Sequence, residues 1–473
     1  MGAGRLVLMV KKIFKNKWGL GLLLVLCTFK GVVWSTTFPL FQAPDEQAHF
    51  SYVQYWAENG ELPQDVESKE YGVSDQLEKT LENLEFEEVR FNPLYQGDFE
   101  EDSLYGPNEL EIMESTWSPR SNQRYLAYNY PPLYYALLLP AYSLFEGDIL
   151  AQVMAMRFTS VFLSLITIGL IYGAALSFFK DEWWALATTS LVAFHPMFSY
   201  FSAIINNDVL LNLAYAGFFY SGLKVLEKKG MVTLKQGLIL LGWTLVGIFS
   251  KTQGFGLIPL FVLMIVMKME WKKSFNIKKG GMILGGILLC ILFAKVILFP
   301  DLGEQLKAYG QFFKGHGVGD LITYLWIYTG EAFESFWARF GWLDTSISTG
   351  WISLFKGITL IAIGGLMKII YEKRKKFRKS SQFLLGSSLI IGSLYLLYFF
   401  DKVLITGSME VHRVDQGRYY FILMVPFLLL GIQGLFKWIP KNRQNLLLVL
   451  LNVCMVFFNF VALIAVIIPR YYV

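Results

Sequence analysis

Long apolar runs recur along almost the whole chain, and they constrain its fold more than any other feature of the sequence. An α-helix needs about 20 predominantly apolar residues to cross the hydrocarbon core of a bilayer. The runs that reach or approach this length are 18–40, 153–179, 183–204, 209–223, 236–250, 254–267, 281–299, 351–371, 382–400, 419–436 and 445–468. They predict an all-α membrane protein with about eleven transmembrane helices.

The composition fits a polytopic membrane protein and excludes several other classes. Hydrophobic residues make up 54% and charged residues 17% of the 473 positions, and the mean hydropathy is +0.44. These values exclude a disordered or collagen-like chain. The 3 cysteines all lie in apolar runs and are too few to form a disulfide scaffold for a chain of this length. The sequence has no P-loop, dinucleotide-binding glycine pattern or Cys/His metal signature, so we expect neither nucleotide chemistry nor a nucleic-acid partner.

Acidic and basic residues are divided between two parts of the chain. Residues 41–124 contain 20 of the 37 acidic residues but only 5 of the 42 basic ones. Basic residues of membrane proteins concentrate in short cytoplasmic loops, so the acidic block belongs on the opposite face. Basic residues precede the first apolar run, and no small-residue cleavage site follows it. We therefore expect an uncleaved first helix with a cytoplasmic N-terminus.

A shorter apolar stretch, 131–145, decides the topology. If it stays on the outer face, four basic clusters all lie on the cytoplasmic side, at 224–235, 268–279, 373–379 and 437–443. If it crosses the membrane, all four clusters move outside, against the positive-inside rule. We therefore interpret this stretch as a juxtamembrane or re-entrant helix on the outer face.

This topology divides the chain into three parts. They are a first transmembrane helix at 1–40, an acidic extracytoplasmic loop with juxtamembrane helices at 41–152, and a multi-helix transmembrane domain at 153–473. The transmembrane domain includes outer loops near 300–350 and 401–418.

The strongest candidate site follows the first helix, in the segment 42–56. Pro44 suits the first position of a helix. Such a helix would place four side chains on one face: Asp45, His49, Tyr52 and Trp56. This set suits a sugar, because a carboxylate accepts a hydroxyl proton and aromatic rings stack on a pyranose. In the alternative interpretation, the acids complement the helix dipole, the imidazole makes a structural hydrogen bond and the aromatic residues form an interfacial belt.

A second carboxylate and several cations are predicted on the same face of the membrane. Asp208 follows two asparagines and is placed to approach Asp45 across the bundle, although it would also serve as a helix cap. The outer loops hold three cations, which are Lys251, Arg339 and Arg418. Two aromatic residues, Trp342 and Tyr419, lie near the arginines in the sequence. Cations there suit a lipid phosphate, which arginine binds through two parallel hydrogen bonds. Alternatively, each cation snorkels to the interface or pairs with a neighbouring acid.

Five segments, in order along nearly the whole chain, carry a resemblance to a known family. They are Pro44–Phe50, Pro131–Tyr135, Asn206–Asp208, Phe336–Asp344 and Gln416–Tyr419. Together they resemble the bacterial multi-pass proteins of the domain of unknown function 2142 family, which groups with the GT-C glycosyltransferases. GT-C enzymes carry an acidic pair in the first outer loop, and Asp45 with Glu46 fits that pattern. The resemblance implies a GT-C-like fold in a bacterial plasma membrane, with an extracytoplasmic active site.

The resemblance also implies an activity. It is the transfer of a sugar from a polyprenyl-phosphate donor to an extracytoplasmic acceptor, a cell-surface glycan or polymer. Asp45 would be the catalytic base, with Glu46 and Asp208 as further catalytic carboxylates. Whether a divalent ion, Mg²⁺ or Mn²⁺, assists is left open, and Asp45 and Glu46 would hold it. The predicted substrate-binding residues are His49, Tyr52, Trp56, Lys251, Arg339, Trp342, Arg418 and Tyr419.

Two other functions stay open at the level of the sequence. A transporter or flippase of lipid-linked sugars would use the same outer cations, but it also needs polar residues through the bundle. The apolar runs offer Lys30 and Lys295 for that purpose, without a chain of acids at mid-depth. A ligase that moves a whole glycan would also work on the outer face with arginine and histidine.

Overall fold

The computed structural model describes residues 18–63, 73–95, 128–269, 302–373, 377–406 and 416–472. Regular structure in these segments is almost entirely helical. The α-helices are, in chain order, α1 (Trp18–Thr37), α2 (Glu46–Asn59), α3 (Asp75–Asn83), α4 (Phe86–Val89), α5 (Leu133–Ser143), α6 (Ile149–Phe179), α7 (Glu182–Ala193), α8 (Pro196–Ser202), α9 (Asp208–Glu227), α10 (Leu234–Ile248), α11 (Leu257–Lys268), α12 (Leu302–Gly315), α13 (Val318–Ala338), α14 (Thr349–Lys373), α15 (Lys379–Thr406), α16 (Met424–Leu435), α17 (Lys441–Ala462) and α18 (Ile468–Tyr472). The shorter elements are the 3₁₀ helices Thr252–Gly256 and Gly417–Leu423, the π-helical turn Leu463–Ile467, and the antiparallel strands β1 (Arg339–Phe340) and β2 (Thr345–Ser346).

Seven helical segments among the described residues are long and apolar enough to cross a membrane. They are Trp18–Thr37, Ile149–Phe179, Asp208–Glu227, Thr349–Lys373, Lys379–Ile405, Gly417–Leu435 and Lys441–Tyr472. Two shorter apolar helices, Leu234–Ile248 and Thr252–Lys268, coincide with the predicted pair of short runs. The predicted run at 281–299 lies outside the described residues. The prediction of an all-α membrane fold is confirmed, whereas the number of eleven transmembrane helices is not.

One predicted span is broken into two helices. The run 183–204 forms α7 and the short α8, which are separated at His195 and Pro196. Proline lacks a backbone donor and disfavours a helical conformation in the residue before it. His195 accordingly has an extended backbone, and its ring nitrogen accepts a hydrogen bond from Phe198 N at 3.4 Å. After the break, α8 packs against α1, α13 and the second 3₁₀ helix.

Helix α9 lies at the centre of the bundle and defines its two ends. It is the most buried of the seven candidate spans and packs against α6, α10 and the second 3₁₀ helix. Asp208 begins α9 and Lys224 lies in its last turn. At a rise of 1.5 Å per residue, about 25 Å separates these two residues along the helix axis. We refer to the Asp208 end and the Lys224 end of the bundle.

Basic residues gather at the Lys224 end. Lys180, which follows α6, forms an ion pair with Glu227 at the end of α9. Lys268, at the end of α11, donates to the carbonyl of Lys228 at 2.6 Å. Arg378 donates to a carbonyl in the last turn of α6 at 2.9 Å. Three of the four predicted basic clusters therefore meet at one end of the bundle.

The first loop packs on the Asp208 end. Helix α5 has 11 residues, about half of a membrane span, and it packs against α2 and α6. Near the C-terminus, the guanidinium of Arg470 donates to the backbone carbonyls of Val89, Asn92 and Tyr95 at 2.6 to 3.1 Å. The described part of the acidic loop is therefore attached to the bundle at both α5 and Arg470.

Candidate active site

Asp45 occupies a strained backbone position between α1 and α2. Its φ of 65° and ψ of 8° lie in the left-handed region, which aspartate and asparagine tolerate better than most other side chains. The sequence predicted a helix from Pro44, but the helix begins at Glu46. Asp45 is therefore not part of the helical face predicted to carry it, and its side chain is 47% exposed.

Asp45 is one end of a row of four alternating charges. Arg418 Nη2 lies 3.2 Å from Asp45 Oδ2, and Arg418 Nε lies 3.5 Å from Asp208 Oδ2. Lys251 Nζ donates to Asp208 Oδ1 at 2.7 Å. The side chains of Lys251, Asp208 and Arg418 are 3–5% exposed, so Asp45 is the accessible end of the row. We call these four residues the charge row.

The second 3₁₀ helix, which lies against α13, positions Arg418. A Cβ atom on Gly417 would come within 2.0 Å of Phe336 N, so this close approach requires glycine. Gly417 N also donates to Ser335 Oγ at 2.7 Å. The guanidinium carbon of Arg418 lies 4.8 Å from the centre of the Phe201 ring, a favourable cation–π distance. The side chain is therefore fixed by both its own backbone and the aromatic ring beside it.

A tight turn after α10 positions Lys251. Gly254 N donates to the Lys251 carbonyl at 2.8 Å, and a Cβ atom on Gly254 would meet the Gly247 backbone at 2.0 Å. The Lys251 ammonium lies 5.6 Å from the centre of the Tyr130 ring and 5.2 Å from that of Tyr419. Two aromatic rings thus stabilise the buried ammonium through cation–π contacts.

The turn before α9 presents the carboxylate of Asp208. Asn206 Oδ1 accepts a hydrogen bond from Asp208 N at 2.9 Å, so Asn206 rather than Asp208 makes the local bond at the helix start. Glu46 Oε1 accepts from Ile205 N at 3.0 Å, and Tyr134 OH accepts from Asn206 N at 2.9 Å. The Asp208 carboxylate is therefore directed to the two cations instead of capping its own helix.

Arg418 has hydrogen-bonding capacity that its neighbours do not use. Among the residues that the structure describes, its Nε and Nη1 groups have no hydrogen-bond partner, although both are buried. Asp208 Oδ2 is also buried and has no hydrogen-bond partner among the described residues. Buried polar groups are normally hydrogen-bonded, and exceptions in native proteins call for an explanation. A phosphate oxygen at Nη1 would satisfy the arginine.

Burial and charge have opposite effects on the titration of Asp45. Its recessed position raises the pKa of the carboxyl, but the neighbouring positive charges, Arg418 first, outweigh this effect and lower the pKa below 3.8. For Lys251, burial lowers the pKa, but the Asp208 carboxylate together with Tyr130 and Tyr419 outweighs this effect and raises it. Burial lowers the pKa of His49 from 6.5 to about 3. At neutral pH, Asp45 and Lys251 are thus charged, and the His49 imidazole is neutral.

Glu46 does not join the charge row. Its carboxylate is fully buried and accepts from Arg157 Nε at 2.8 Å and from Arg157 Nη2 at 2.6 Å. Arg157 also donates to three carbonyls at the end of α1, those of Ser35, Phe38 and Pro39. Both oxygens of Glu46 are therefore engaged within the protein. We assign it the role of connecting α1, α2 and the turn before α9.

The surroundings of Asp45 and Glu46 do not fit a shared metal ion. Divalent cations such as Mg²⁺ need several oxygen ligands around one centre. In this pair, Glu46 is engaged by Arg157 and Asp45 by Arg418. Within the described segments, no group of three or more His, Cys, Asp or Glu side chains is arranged to hold a metal ion. We derive no catalytic step through a metal.

His49 and Tyr52, predicted to bind a sugar, lie instead in an aromatic stack. His49 Nδ1 is 2.8 Å from Tyr135 OH, and the rings of Tyr52 and Tyr135 stack with centres 3.8 Å apart. Both side chains are buried, at 2% exposure. They hold α2 against α5, and Tyr130, from the segment before α5, stacks on His49 while also facing Lys251.

Trp56 lines an apolar cavity of about 290 Å³ that opens beside the turn of Lys251. Leu133 N donates to the carbonyl of Phe249 at 3.0 Å, which joins α5 to the end of α10 next to Lys251. The residues that line the cavity are Trp56, Pro132, Leu133, Ala136, Leu245, Val246 and Phe249. Because Phe249 lies two residues before Lys251, the cavity adjoins the turn that carries one cation of the charge row.

Arg339 and Trp342 are not joined to the charge row by any contact within the described residues. Arg339 lies in β1, and its backbone N–H donates to Met197 Sδ at 3.3 Å. The Trp342 ring lies against Phe86 and 4.5 Å from the guanidinium of Arg90, so it packs on the first loop. Of the three predicted cations, the contacts among the described residues join Lys251 and Arg418 to the two aspartates.

Sequence analysis did not single out Arg157 or Phe201. A signal for Arg157 exists, because a lone arginine within the apolar run 153–179 requires an internal partner. No comparable signal marks Phe201, since an aromatic residue in an apolar run is ordinary. Its contact with Arg418 depends on the break between α7 and α8.

Comparisons with known proteins bear on the family and the fold. Residues 27–430 match the model of a family described as predicted membrane protein (DUF2142). No curated protein sequence matches the chain.

Three solved structures resemble the chain over most of its length. One is the oligosaccharyltransferase of Archaeoglobus fulgidus, tethered with an acceptor peptide. It is 10% identical in sequence, has a TM-score of 0.48, and the match covers 96% of this chain and 55% of the oligosaccharyltransferase. The same organism's AglB, in complex with an inhibitory peptide and a dolichol-phosphate, is 12% identical with a TM-score of 0.42 over 97% and 56%. ArnT from Cupriavidus metallidurans, bound to undecaprenyl phosphate, is 13% identical with a TM-score of 0.37 over 96% and 74%. The chain thus spans about half the length of the oligosaccharyltransferases, at 55% and 56%.

Proposed function

We propose that this chain, which belongs to the DUF2142 family of predicted membrane proteins, is a membrane glycosyltransferase of the GT-C type. It transfers a sugar from a polyprenyl-phosphate donor to a hydroxyl group of an extracytoplasmic acceptor, a cell-surface glycan or polymer. The charge row is the active site. The two cations bind the donor's phosphate, and Asp45 is the base.

The observation that carries this proposal is the pairing of an accessible carboxylate with a buried cation that has unused donors. Arg418 contacts Asp45 at 3.2 Å, and its Nε and Nη1 have no hydrogen-bond partner in the described residues. A buried guanidinium with open N–H groups suits a phosphate, which it binds through charge-assisted hydrogen bonds. Asp45 at 47% exposure is reachable by a second substrate.

The chemistry is a single displacement at the anomeric carbon of the sugar. The acceptor oxygen forms a bond to this carbon while the bond from the carbon to the phosphate oxygen breaks. The hydroxyl proton passes to Asp45, and the electron pair of the broken bond stays on the lipid phosphate. This phosphate gains a negative charge, which Arg418 and Lys251 stabilise from fixed positions. Inversion at the anomeric carbon follows.

Donor binding also prepares the base. In the free protein, Arg418 and the other nearby cations keep the pKa of Asp45 low, which makes it a weak base. A phosphate at Nη1 draws part of the guanidinium's charge, so its hold on Asp45 weakens. Asp45 therefore becomes more basic when the donor is in place, and an acceptor bound without donor is not deprotonated.

The lipid tail lies in the apolar cavity beside Lys251. Trp56 and Phe249 contribute aromatic area to this cavity, and an isoprenoid gains about 25 cal/mol per Å² of apolar surface removed from water. Phe249, which lines the cavity, lies two residues before Lys251 of the charge row. Tail and phosphate would therefore occupy adjoining sites.

The distribution of basic residues supports the orientation of the site. Lys180, Lys224 and Lys268 lie at the Lys224 end, together with Arg378. By the positive-inside rule this end is cytoplasmic, and the charge row at the opposite end is extracytoplasmic. A bacterial plasma membrane is the setting that the sequence resemblance implies.

The purified full-length chain in nanodiscs tests the proposal. It is incubated with polyprenyl-phosphate sugars and candidate glycan acceptors, and free polyprenyl phosphate and glycosylated acceptor are measured by mass spectrometry. We expect both products in equal amounts, and neither with empty nanodiscs. Failure to release lipid phosphate from any donor would contradict the proposal.

The same preparation in proteoliposomes separates transfer from transport and from glycan ligation. A flippase would move intact donor between leaflets, and a ligase would consume only donors that carry a whole glycan. In the structure, Lys30 Nζ donates to Ser199 Oγ at 2.7 Å and to the Ala193 carbonyl, so it is engaged within the bundle. Lys295 lies outside the described residues. This engagement of Lys30 favours transfer over transport.

A further inference from the structure

We propose that Arg418 takes the place of a divalent metal ion in this site, so that donor binding and sugar transfer proceed without one. The inference rests on the proposed function and concerns the cation that the reaction uses. It starts from the position of the guanidinium between two carboxylates that belong to different parts of the chain, Asp45 before α2 and Asp208 at the start of α9.

Arg418 bridges these carboxylates in the manner of a bound cation. Its Nη2 faces Asp45 at 3.2 Å and its Nε faces Asp208 at 3.5 Å. A metal ion held by the same two carboxylates would have to displace the guanidinium. The backbone beside Arg418 is closely packed on α13, since a Cβ atom on Gly417 would lie 2.0 Å from Phe336 N.

The charge balance of the row points the same way. Two carboxylates, Asp45 and Asp208, face two cations, Arg418 and Lys251, so the four charges sum to zero. A divalent ion would add two positive charges beside two cations that are both at most 5% exposed. Little water is present to screen that repulsion. An anionic phosphate, in contrast, enters a site whose arginine has unsatisfied donors among the described residues.

The nearest additional carboxylate in the sequence cannot complete a metal site. Glu46 accepts two hydrogen bonds from Arg157 and one from Ile205 N, and it is fully buried. The adjacent imidazole, His49, is turned to Tyr135 at 2.8 Å. Among the Asp, Glu, His and Cys side chains that the structure describes, Asp45 and Asp208 would thus be the only ligands, and Arg418 already lies between them.

The consequence for the reaction is a fixed rather than an exchangeable cation. The leaving phosphate gains one negative charge when its bond to the sugar breaks, and the guanidinium and ammonium accept that charge through hydrogen bonds already aligned. Arginine stays protonated at every physiological pH. Transfer should therefore be insensitive to chelators, and donor affinity should be the same with and without added Mg²⁺ or Mn²⁺.

Metal binding is measured first, on the full-length chain in nanodiscs after EDTA treatment and desalting. Mn²⁺ is titrated and its free concentration followed by electron paramagnetic resonance, for the wild type and for Asp45→Asn. We expect identical titrations, with no loss of free Mn²⁺ that depends on Asp45. A stoichiometric Mn²⁺ site in the wild type that Asp45→Asn abolishes would overturn the proposal.

Lipid binding supplies a second readout that does not depend on turnover. The affinity for polyprenyl phosphate is measured in EDTA, in Mg²⁺ and in Mn²⁺, and we expect values within twofold of one another. The variant Arg418→Lys keeps the positive charge but loses the planar guanidinium that contacts both carboxylates. It should bind polyprenyl phosphate at least tenfold more weakly. Arg443→Lys, at an exposed position of α17, is the matched control and should bind as the wild type does.

These outcomes are distinct from those that test the glycosyltransferase assignment. An affinity that falls tenfold or more in EDTA and returns with metal overturns the role of Arg418, even if sugar transfer is observed. Metal-independent binding without transfer to any acceptor keeps the role of Arg418 and contradicts the proposed function. If Arg418→Lys does not fold, the Mn²⁺ titration and the lipid affinities of the wild type still show whether a metal ion is needed.

Discussion

Asp45 and Glu46 are adjacent in the sequence, yet their surroundings are opposite. Glu46 is fully buried, and Arg157 uses its remaining donors on carbonyls at and just beyond the end of α1. Asp45 is 47% exposed, and its partner Arg418 retains buried donors that have no partner in the described residues. A satisfied ion pair holds the fold together, whereas an unsatisfied one indicates a place for a ligand.

Backbone conformation produces this difference. Asp45 is in the left-handed region and stands outside α2, whereas Glu46 is the first residue of the helix. One carboxylate therefore faces the charge row, and the next faces the interior between α1, α6 and the turn before α9. If this comparison is right, the two acids should respond to the same substitution in different ways.

Asp45→Asn should have the largest effect on activity. The amide preserves the shape and tolerates the left-handed backbone, but it cannot accept the acceptor's proton. General-base catalysis contributes about 10²- to 10⁴-fold, so kcat should fall by that factor while the melting temperature stays unchanged. Initial rates of polyprenyl phosphate release measure it, with Glu61→Gln at an exposed position beyond α2 as the control. A wild-type rate in Asp45→Asn would show that another group is the base.

Glu46→Gln should affect stability rather than chemistry. The change leaves Arg157 buried without a counter-charge, and breaking a buried ion pair costs about 3–5 kcal/mol. We expect a lower melting temperature by thermal-shift fluorescence, and a near-normal kcat for the protein that remains folded. Glu82→Gln, at an exposed position of α3, is the matched control. Unchanged stability with lost activity would make Glu46 catalytic and reverse the comparison.

Gly417→Ala tests whether the position of Arg418 matters. The added methyl group would collide with Phe336 N, so the 3₁₀ helix must shift away from α13. Misplacement of a catalytic group by about 1 Å can cost about 100-fold in rate, and we expect a 10- to 100-fold loss in kcat/KM. Gly431→Ala, where no atom lies within 4 Å of the new Cβ, should have little effect. Equal behaviour of the two variants would refute a rigid placement of Arg418.

Trp56→Ala should have the smallest effect on kcat, because Trp56 would contact the donor only at its lipid tail. Burying a large apolar side chain is worth about 1.5–3 kcal/mol, so KM for the donor should rise about 10- to 100-fold with kcat nearly unchanged. Truncated donors with one or two isoprene units should be insensitive to the change. Trp326→Ala, at a position that is 80% exposed, is the control. A loss in kcat with no change in KM would show that the lipid tail does not bind in this cavity.

The sequence contains enough information to bring Asp45, Asp208, Lys251 and Arg418 to one end of the bundle. Asp208, Lys251 and Arg418 each lie next to a terminus of an apolar run, and Asp45 lies five residues beyond one; the positive-inside rule assigns those termini to a common face. The structure places the four residues in a continuous row of contacts. Their catalytic and binding roles remain our proposal.

Side-chain directions within that end were not accessible from the sequence. The sequence pattern predicts similar roles for Asp45 and Glu46, because it does not show that Arg157 forms an ion pair with Glu46. Likewise, Arg339 was indistinguishable from Arg418 until the fold placed it in β1. The break at Pro196 had a local signal in the proline itself, but the apolar run around it masked that signal.

The most direct test of the account is a density map of the full-length chain in a nanodisc with polyprenyl phosphate. We predict a phosphate oxygen about 3 Å from Arg418 Nη1 and within reach of Lys251, with the isoprenoid along the cavity lined by Trp56. Asp45 should face the free side of that phosphate. A lipid bound elsewhere, with Arg418 Nη1 still without a partner, would contradict the assignment of the charge row as the active site.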